Sequence, residues 1–236
     1  MPLTELDHPV WHALSGAHRP LSIRRGEAAR YRPTVASFAA IPPGDDARDW
    51  DDLAAIAGGD EVVLFGLPRE VPSGWEETAH FEVVQMTVPE SFGRRHEGVV
   101  RLTADDAPAM LALIAEAQPG PFFAETHLMG AYYGIKEDGR LVAMAGERLT
   151  TGSWTEVSAV CTRDTHRGRG LATVLMEVVA HGIREAGRRP FLHTGASNAT
   201  ALRLYDHLGF EARDTGNAVQ IVRVAGSTGA AATLHH

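Results

Sequence analysis

Leu171, Val174, Leu175, Val178, Val179 and Ile183 fall at i, i+3, i+4, i+7, i+8 and i+12, a spacing that puts all six on one face of an α-helix. The helix is predicted from about Gly168 to Ala186, with Gly187 ending it and Pro190 preventing its resumption. Strand-like runs flank it, Trp154–Thr162 before and Phe191–Thr194 after. A long one-faced helix between two strands needs a sheet to lie on, so the chain reads as α/β.

The rest of the chain agrees with that class. Downstream, Asn198 is placed to cap a helix over Ala199–Leu208, and Phe210–Arg213 and Ala218–Val224 read as two last strands. Upstream, Val99–Leu102 is a strand, and Thr103 with Asp105 and Asp106 opens a helix that Pro119-Gly-Pro121 ends. Ala131–Lys136 and Arg140–Leu149 are antiparallel strands joined by the turn Glu137-Asp-Gly139. The polar stretch Pro89–Gly98 looks like a linker between residues 1–97 and a second region, 98–224, with a flexible Gly-, Ala- and Ser-rich tail over 225–236. Residues 1–97 show helices near Val10–Leu14 and over Asp46–Ala57, and strands at Glu61–Phe65 and Ala79–Val88, but no chemical motif. That alternation allows the first region to be a degenerate copy of the second.

Composition excludes several functions. The net charge is −8, and residues 1–97 carry 9 basic against 16 acidic side chains. A basic nucleic-acid or membrane-surface binder is therefore not expected. A single cysteine rules out an internal disulfide and a cysteine-rich zinc site, and the twelve histidines show no His-Glu-x-x-His spacing, so no metal is expected. Without a basic, apolar leader or a run of eighteen apolar residues, a soluble cytoplasmic protein is expected, as a monomer or homodimer.

The chemistry concentrates at Val160-Cys-Thr-Arg-Asp-Thr-His-Arg167-Gly-Arg-Gly-Leu-Ala172. The first amides of the long helix lack intrahelical partners, the positive end of its dipole points the same way, and Gly168 and Gly170 leave the backbone open. Arg163, His166, Arg167 and Arg169 add positive charge against Asp164 alone. Neither Gly-Lys-Ser/Thr nor G-x-G-x-x-G is present.

Arg167, Gly170 and Ala172 do match Arg/Gln-x-x-Gly-x-Gly/Ala, and Asn198-Ala-Thr-Ala-Leu-Arg-Leu-Tyr205-Asp-His-Leu-Gly-Phe210 follows about thirty residues later. This ordered pair resembles the GNAT superfamily of acyl-CoA-dependent N-acyltransferases, and Cys161-Thr162 makes it most similar to the FR47-like branch. The resemblance covers about Val99 to Val224. It implies a mixed, mostly antiparallel sheet flanked by helices, with seven strands at most, preceded by the α/β N-terminal region. It also implies acetyl-CoA as co-substrate, with its pyrophosphate on the amides of Arg167, Gly168, Arg169, Gly170, Leu171 and Ala172. The pantetheine arm would lie along Val160, Cys161 and Thr162, where two strands splay.

The implied reaction is direct attack of a primary amine, small-molecule or peptide, on the thioester, which needs a base and an acid. Tyr205 occupies the family's acid position, although the stripe Ala201, Leu202, Tyr205, Leu208 equally suits a core tyrosine. Glu156 lies at the offset of the glutamate base in histone-type relatives. Strand alternation puts Glu156, Ser158, Val160 and Thr162 on one face, and a buried Glu156 would have a raised pKa. It could also be a plain strand-end residue; Glu147 and water are the reserve bases. Asn198 is a helix cap, a ligand contact or both; a thiol nucleophile from Cys161 with His166 is not expected, because the cysteine should alternate into the core and His166 belongs to the basic loop. Phe122, Phe123, His127, Met129 and Trp154 come from the region that walls the acceptor pocket in the family, although each suits the core better than a contact, and they identify no acceptor. The rival function is a non-catalytic acyl-CoA-binding module.

Overall fold

A computed structural model describes residues 5–44, 46–66 and 71–223. Two sheets form. The small one, order β1-β2-β3, comprises Ser22–Arg25, Ala28–Tyr31 and Ala39–Ala40. The large one has eight strands: β4 (Val62–Phe65), β5 (Trp75–Thr87), β6 (Val99–Leu102), β7 (Tyr132–Glu137), β8 (Arg140–Thr150), β9 (Trp154–Thr162), β10 (Arg189–Gly195) and β11 (Glu211–Arg223). Their spatial order is β4-β11-β5-β10-β9-β8-β7-β6. All described neighbours in it pair antiparallel except β9 and β10, which are parallel because the helix α4 (Leu171–Glu185) carries the chain back between them.

The expected maximum of seven strands is exceeded because β4 and β5, from the first 97 residues, enter the same sheet. The two strands expected after Phe210 are one. Asp214–Asn217 looks like a turn in sequence, but β5 is long enough to pair with it throughout, and a bulge between Ala212 and Asp214 absorbs the extra residue. Val224 and the tail lie outside the described residues.

Local signals placed the helices closely. The side chain of Asp46 accepts from the Arg48 amide at the start of α2 (Ala47–Ala57). Thr103 and Asp106 form a reciprocal capping box ahead of α3 (Ala107–Ala117), which ends with Gln118 in the left-handed region one residue before Pro119. In the β7–β8 turn, Asp138 and Gly139 have φ of 49° and 75°, the conformation a two-residue hairpin turn requires.

One face of the large sheet is covered by α4 and by α5 (Ala199–His207). Leu175, Met176, Val179 and Ile183 pack there on Val84, Met86, Val157 and Leu192. On the other face α1 (Pro9–Ser15) buries Val10 and Leu14 against Leu149, Phe191 and Tyr31. Against the β7–β8 hairpin, α3 packs Met110 and Leu113 on Tyr132 and Met144. No helix among the described residues is long and apolar enough to cross a membrane.

Because β5 lies between β10 and β11, it supplies hydrogen bonds to both and the buried side chains Val84 and Met86 to the core under α4. A fragment starting at residue 98 would leave two unpaired edges in mid-sheet. Such a fragment should show no cooperative thermal transition by circular dichroism, and co-expression with residues 1–97 should restore one.

Candidate active site

The parallel ladder between β9 and β10 ends at Glu156 opposite Phe191. Beyond that step β9 bends away. Ala159 takes φ 52°, and the register with β8 jumps from Cys161↔Met144 to Ser158↔Gly146, so two residues of β9 face one of β8. This bulge corrects the simple alternation read from sequence. Val160 joins Val157 in the core beneath α4, whereas Ala159 and Cys161 pack with Met144 toward α3, so Glu156, Ser158, Val160 and Thr162 do not share one face.

The opened strands bound a cleft of about 640 Å³ that runs to the start of α4. Val160, Cys161, Thr162, Arg167, Gly168, Gly170, Leu171, Ala172 and Asn198 all line it, as does Tyr205. The Thr162 Oγ1 is buried without a hydrogen-bond partner, the kind of orphan a bound amide would satisfy. Gly168 and Gly170 have φ of 76° and 75°, and a Cβ on either would meet no protein atom within 4 Å. Glycine is needed there for the left-handed backbone, and the amide surface faces open space. These features fit an elongated ligand with an anionic end and an amide-bearing arm.

Much of the positive charge counted in this turn is turned elsewhere. Arg169 does not line the cleft; its guanidinium is held by Glu137 at 2.7 Å. Arg163 points inward, donating to the Leu141 carbonyl at 2.8 Å and pairing with Glu116. Arg167 lines the cleft but also meets Asp164 at 2.8 Å. The groups this turn offers to an anion are therefore chiefly backbone amides and the helix dipole.

Tyr205 is both core and cleft residue. Its ring stacks on Phe210 with centroids 5.5 Å apart, its hydroxyl has no hydrogen-bond partner among the described residues, and burial raises its pKa. The hydroxyl thus stays protonated at neutral pH. Asn198 likewise has both roles available, since its Oδ1 caps α5 by accepting from the Ala201 amide at 3.1 Å while the residue lines the cleft. Burial pushes the Cys161 thiol up to about 12, which removes it as a nucleophile at neutral pH. Glu147 accepts from the Ala131 amide at 3.0 Å and lines neither this cleft nor the one on the opposite face.

Glu156 reverses the expectation of a raised pKa. Its side chain has no exposed surface, and burial alone would raise the pKa, yet Arg148 and His193 together bring it down to about 2. Arg148 grips it through Nε at 2.7 Å and Nη2 at 2.6 Å, and His193 Nδ1 donates to Oε1 at 2.7 Å. The chain of contacts continues across the sheet. Gln85 Nε2 donates to His193 Nε2 at 3.0 Å and to the Leu6 carbonyl at 2.9 Å, and Gln85 Oε1 accepts from Arg213 at 3.0 Å. These partners assign the His193 tautomer with its proton on Nδ1. A carboxylate so held is a poor proton acceptor; it immobilises Arg148.

Across the sheet lies a second cleft of about 670 Å³, which shares Pro119, Arg148, His193, Thr194 and Gly195 with the first. The N-terminal region supplies its aromatic wall, Phe38, Phe65 and Phe81, together with Val63. The residues from the region that walls the acceptor pocket in the family take the core alternative or lie off this cleft. Phe122 packs edge-on against Tyr132, Met129 is in the core with α1, and Trp154 lies under the Arg189 guanidinium at 3.8 Å. Phe123 and His127 also lie off the walls. Phe38, Phe65 and Phe81 belong to no motif, so nothing in the sequence singles them out. Arg148 had one signal, a guanidinium on an apolar strand facing a strand that carries Glu156.

A native carboxyl pKa near 2, below the ordinary 4.5, stabilises the fold fully above about pH 4.5 and loses that contribution as pH falls toward 2. Urea midpoints measured from neutral pH down to about pH 2 should therefore fall less steeply for the paired variant Arg148→Met/Glu156→Gln than for the wild type.

An FR47-like protein family model matches residues 132–219. The structure is similar to that of a GNAT family member from Novosphingobium aromaticivorans, with a TM-score of 0.86 and 37% identity over 94% of this chain and 100% of that one. It also shares its fold with a GCN5-related N-acetyltransferase from Kribbella flavida, with a TM-score of 0.60 and 20% identity over 92% and 96% of the two chains. Comparison with curated proteins gave no match. With 37% identity over nearly its whole length to a GNAT family member, and an FR47-like match across the splayed strands and the glycine turn, the chain belongs to the GNAT family of acetyltransferases.

Proposed function

We propose that the protein transfers an acetyl group from acetyl-CoA to a primary amine by direct attack. The observation that carries this reading is the continuity of one cleft from the unpaired edge of β9, past the Tyr205 hydroxyl, to the amides at the start of α4. Acetyl-CoA, when bound, supplies an activated thioester carbonyl. The amides of Arg167 to Ala172 hold the pyrophosphate, and Arg169 contributes only its backbone because Glu137 occupies its side chain. Val160, Cys161 and Thr162 hold the pantetheine arm through backbone groups left unpaired by the splay and through the orphaned Thr162 hydroxyl. Asn198 keeps its amide nitrogen free for the ligand while its oxygen caps α5.

The second cleft admits the amine from the opposite side of the sheet, so the two substrates meet where Arg148 and His193 line both clefts. Tyr205 presents a protonated hydroxyl to the departing sulfur as general acid. Glu156 had been the expected base; its low pKa and complete burial assign it instead to holding Arg148, and the amine gives up its proton to water in the open cleft.

Acetyl-CoA or free coenzyme A at a hundred times its dissociation constant should stabilise the fold by about 2.7 kcal/mol. Thermal unfolding should show this shift in the wild type and lose it in Arg167→Glu and Gly170→Asp. A wild type with no shift at millimolar ligand would overturn the reading. Tyr205→Phe should retain the shift and lower kcat about 100-fold, read as thiol release. Unchanged turnover would remove Tyr205 as the acid.

A further inference from the structure

The Arg148 guanidinium uses only one of its two hydrogen-bonding edges within the protein. The side edge, Nε and Nη2, is taken by Glu156. The end edge, Nη1 with the second Nη2 proton, has no partner among the described residues, and the residue lines both clefts. The group is also held in position: Glu156 has no exposed surface, His193 braces Glu156, and the guanidinium lies 5.1 Å from the centre of the Phe38 ring. A rigid guanidinium with one free fork is suited to bidentate binding of a carboxylate.

Its surroundings narrow the ligand further. Phe38 meets Phe65 edge-on at 5.3 Å, Phe65 meets His193 at 5.1 Å, and Phe81 extends the same apolar wall. Glu82 is the one carboxylate among the described residues lining the two clefts, and it is exposed. A polycationic acceptor finds no set of counter-charges there, although residues 1–97 carry 16 acidic side chains. The charge of Arg148 is already balanced by Glu156, so a zwitterion, which adds no net charge, is better suited than a simple cation. Since Arg148 stands where the clefts meet, a carboxylate on it lies close to the point of transfer.

We infer that the acceptor is an apolar amino acid, an amine with a carboxylate on a nearby carbon, whose carboxylate docks on the free edge of Arg148 while its side group lies along Phe38, Phe65 and Phe81. The inference rests on the acetyltransferase reading above and names the substrate class of that site.

The test compares L-phenylalanine and L-leucine with their amides and with the corresponding amines lacking the carboxyl carbon. Thiol release from acetyl-CoA and thermal stabilisation in the presence of free coenzyme A are both followed. For the wild type, kcat/KM should favour the amino acids by about 30-fold, mainly through KM, the size expected of a charge-assisted pair. In Arg148→Met/Glu156→Gln, which removes the buried pair together so that no lone charge remains, the preference should shrink to less than about 3-fold while stabilisation by coenzyme A persists. Arg148→Lys should fall between the two. Equal use of acids, amides and amines by the wild type overturns the inference and leaves the acetyltransferase reading standing. So does a preference that survives in the paired variant, or an equal loss of kcat for all acceptors, which would mark Arg148 as an oxyanion donor. If coenzyme A gives no shift and no amine releases thiol, the acetyltransferase reading fails. The binding arm then decides: amino acids that stabilise the wild type and not the paired variant uphold the anchor, and no difference overturns it.

Discussion

The ion pair between Glu156 and Arg148 sits at the last hydrogen-bonded step of the parallel β9–β10 ladder. Two neighbouring parallel strands gain hydrogen bonds from every further step they share, so something must end the pairing where it does. The bulge at Ala159 swings β9 away, and immediately before it Glu156 is held by Arg148 from β8 and His193 from β10. One carboxylate thus ties three adjacent strands together at the apex of the opening. The cleft that runs to the start of α4 and the second cleft share Arg148 and His193 there.

Such an arrangement is costly in isolation. Removing either partner leaves a buried unpaired charge, which typically costs about 3–5 kcal/mol, whereas replacing both with apolar groups is often close to neutral. Stability alone does not require the pair. What it provides is a guanidinium whose orientation is set by the sheet and whose free edge faces the junction. The relay through Gln85 to Leu6 and Arg213 extends this support across five strands and to the chain ahead of α1. The low pKa of Glu156 follows from the same geometry, since Arg148 and His193 both favour its charged form.

The N-terminal region completes the site physically. Its strand β5 fills the middle of the sheet between β10 and β11, and Phe38, Phe65 and Phe81 form the wall of the second cleft. The acidity of this region lies mostly away from that wall. The second cleft is therefore lined from both the N-terminal region and the strands that follow it, whereas the first is lined from residues 117–205.

The sequence by itself determined the elements whose signals are local. The apolar stripe of α4, the Asp46 and Asn198 caps, the Asp138-Gly139 turn and the glycine-rich turn at 168–170 each depend on residues a few positions apart, and each was legible. Most residues lining the first cleft were legible for the same reason, because one strand–turn–helix segment and one capped helix carry them. Tertiary structure alone decided the rest. Alternation could not reveal the bulge at Ala159, which depends on the register with β8. It could not show that Arg163 and Arg169 turn to Glu116 and Glu137, or that Glu156 meets a guanidinium, since a pKa answers to charges brought close by folding. The apolar wall of the second cleft was hidden because its aromatics share no motif and become neighbours only when β4 and β5 enter the sheet.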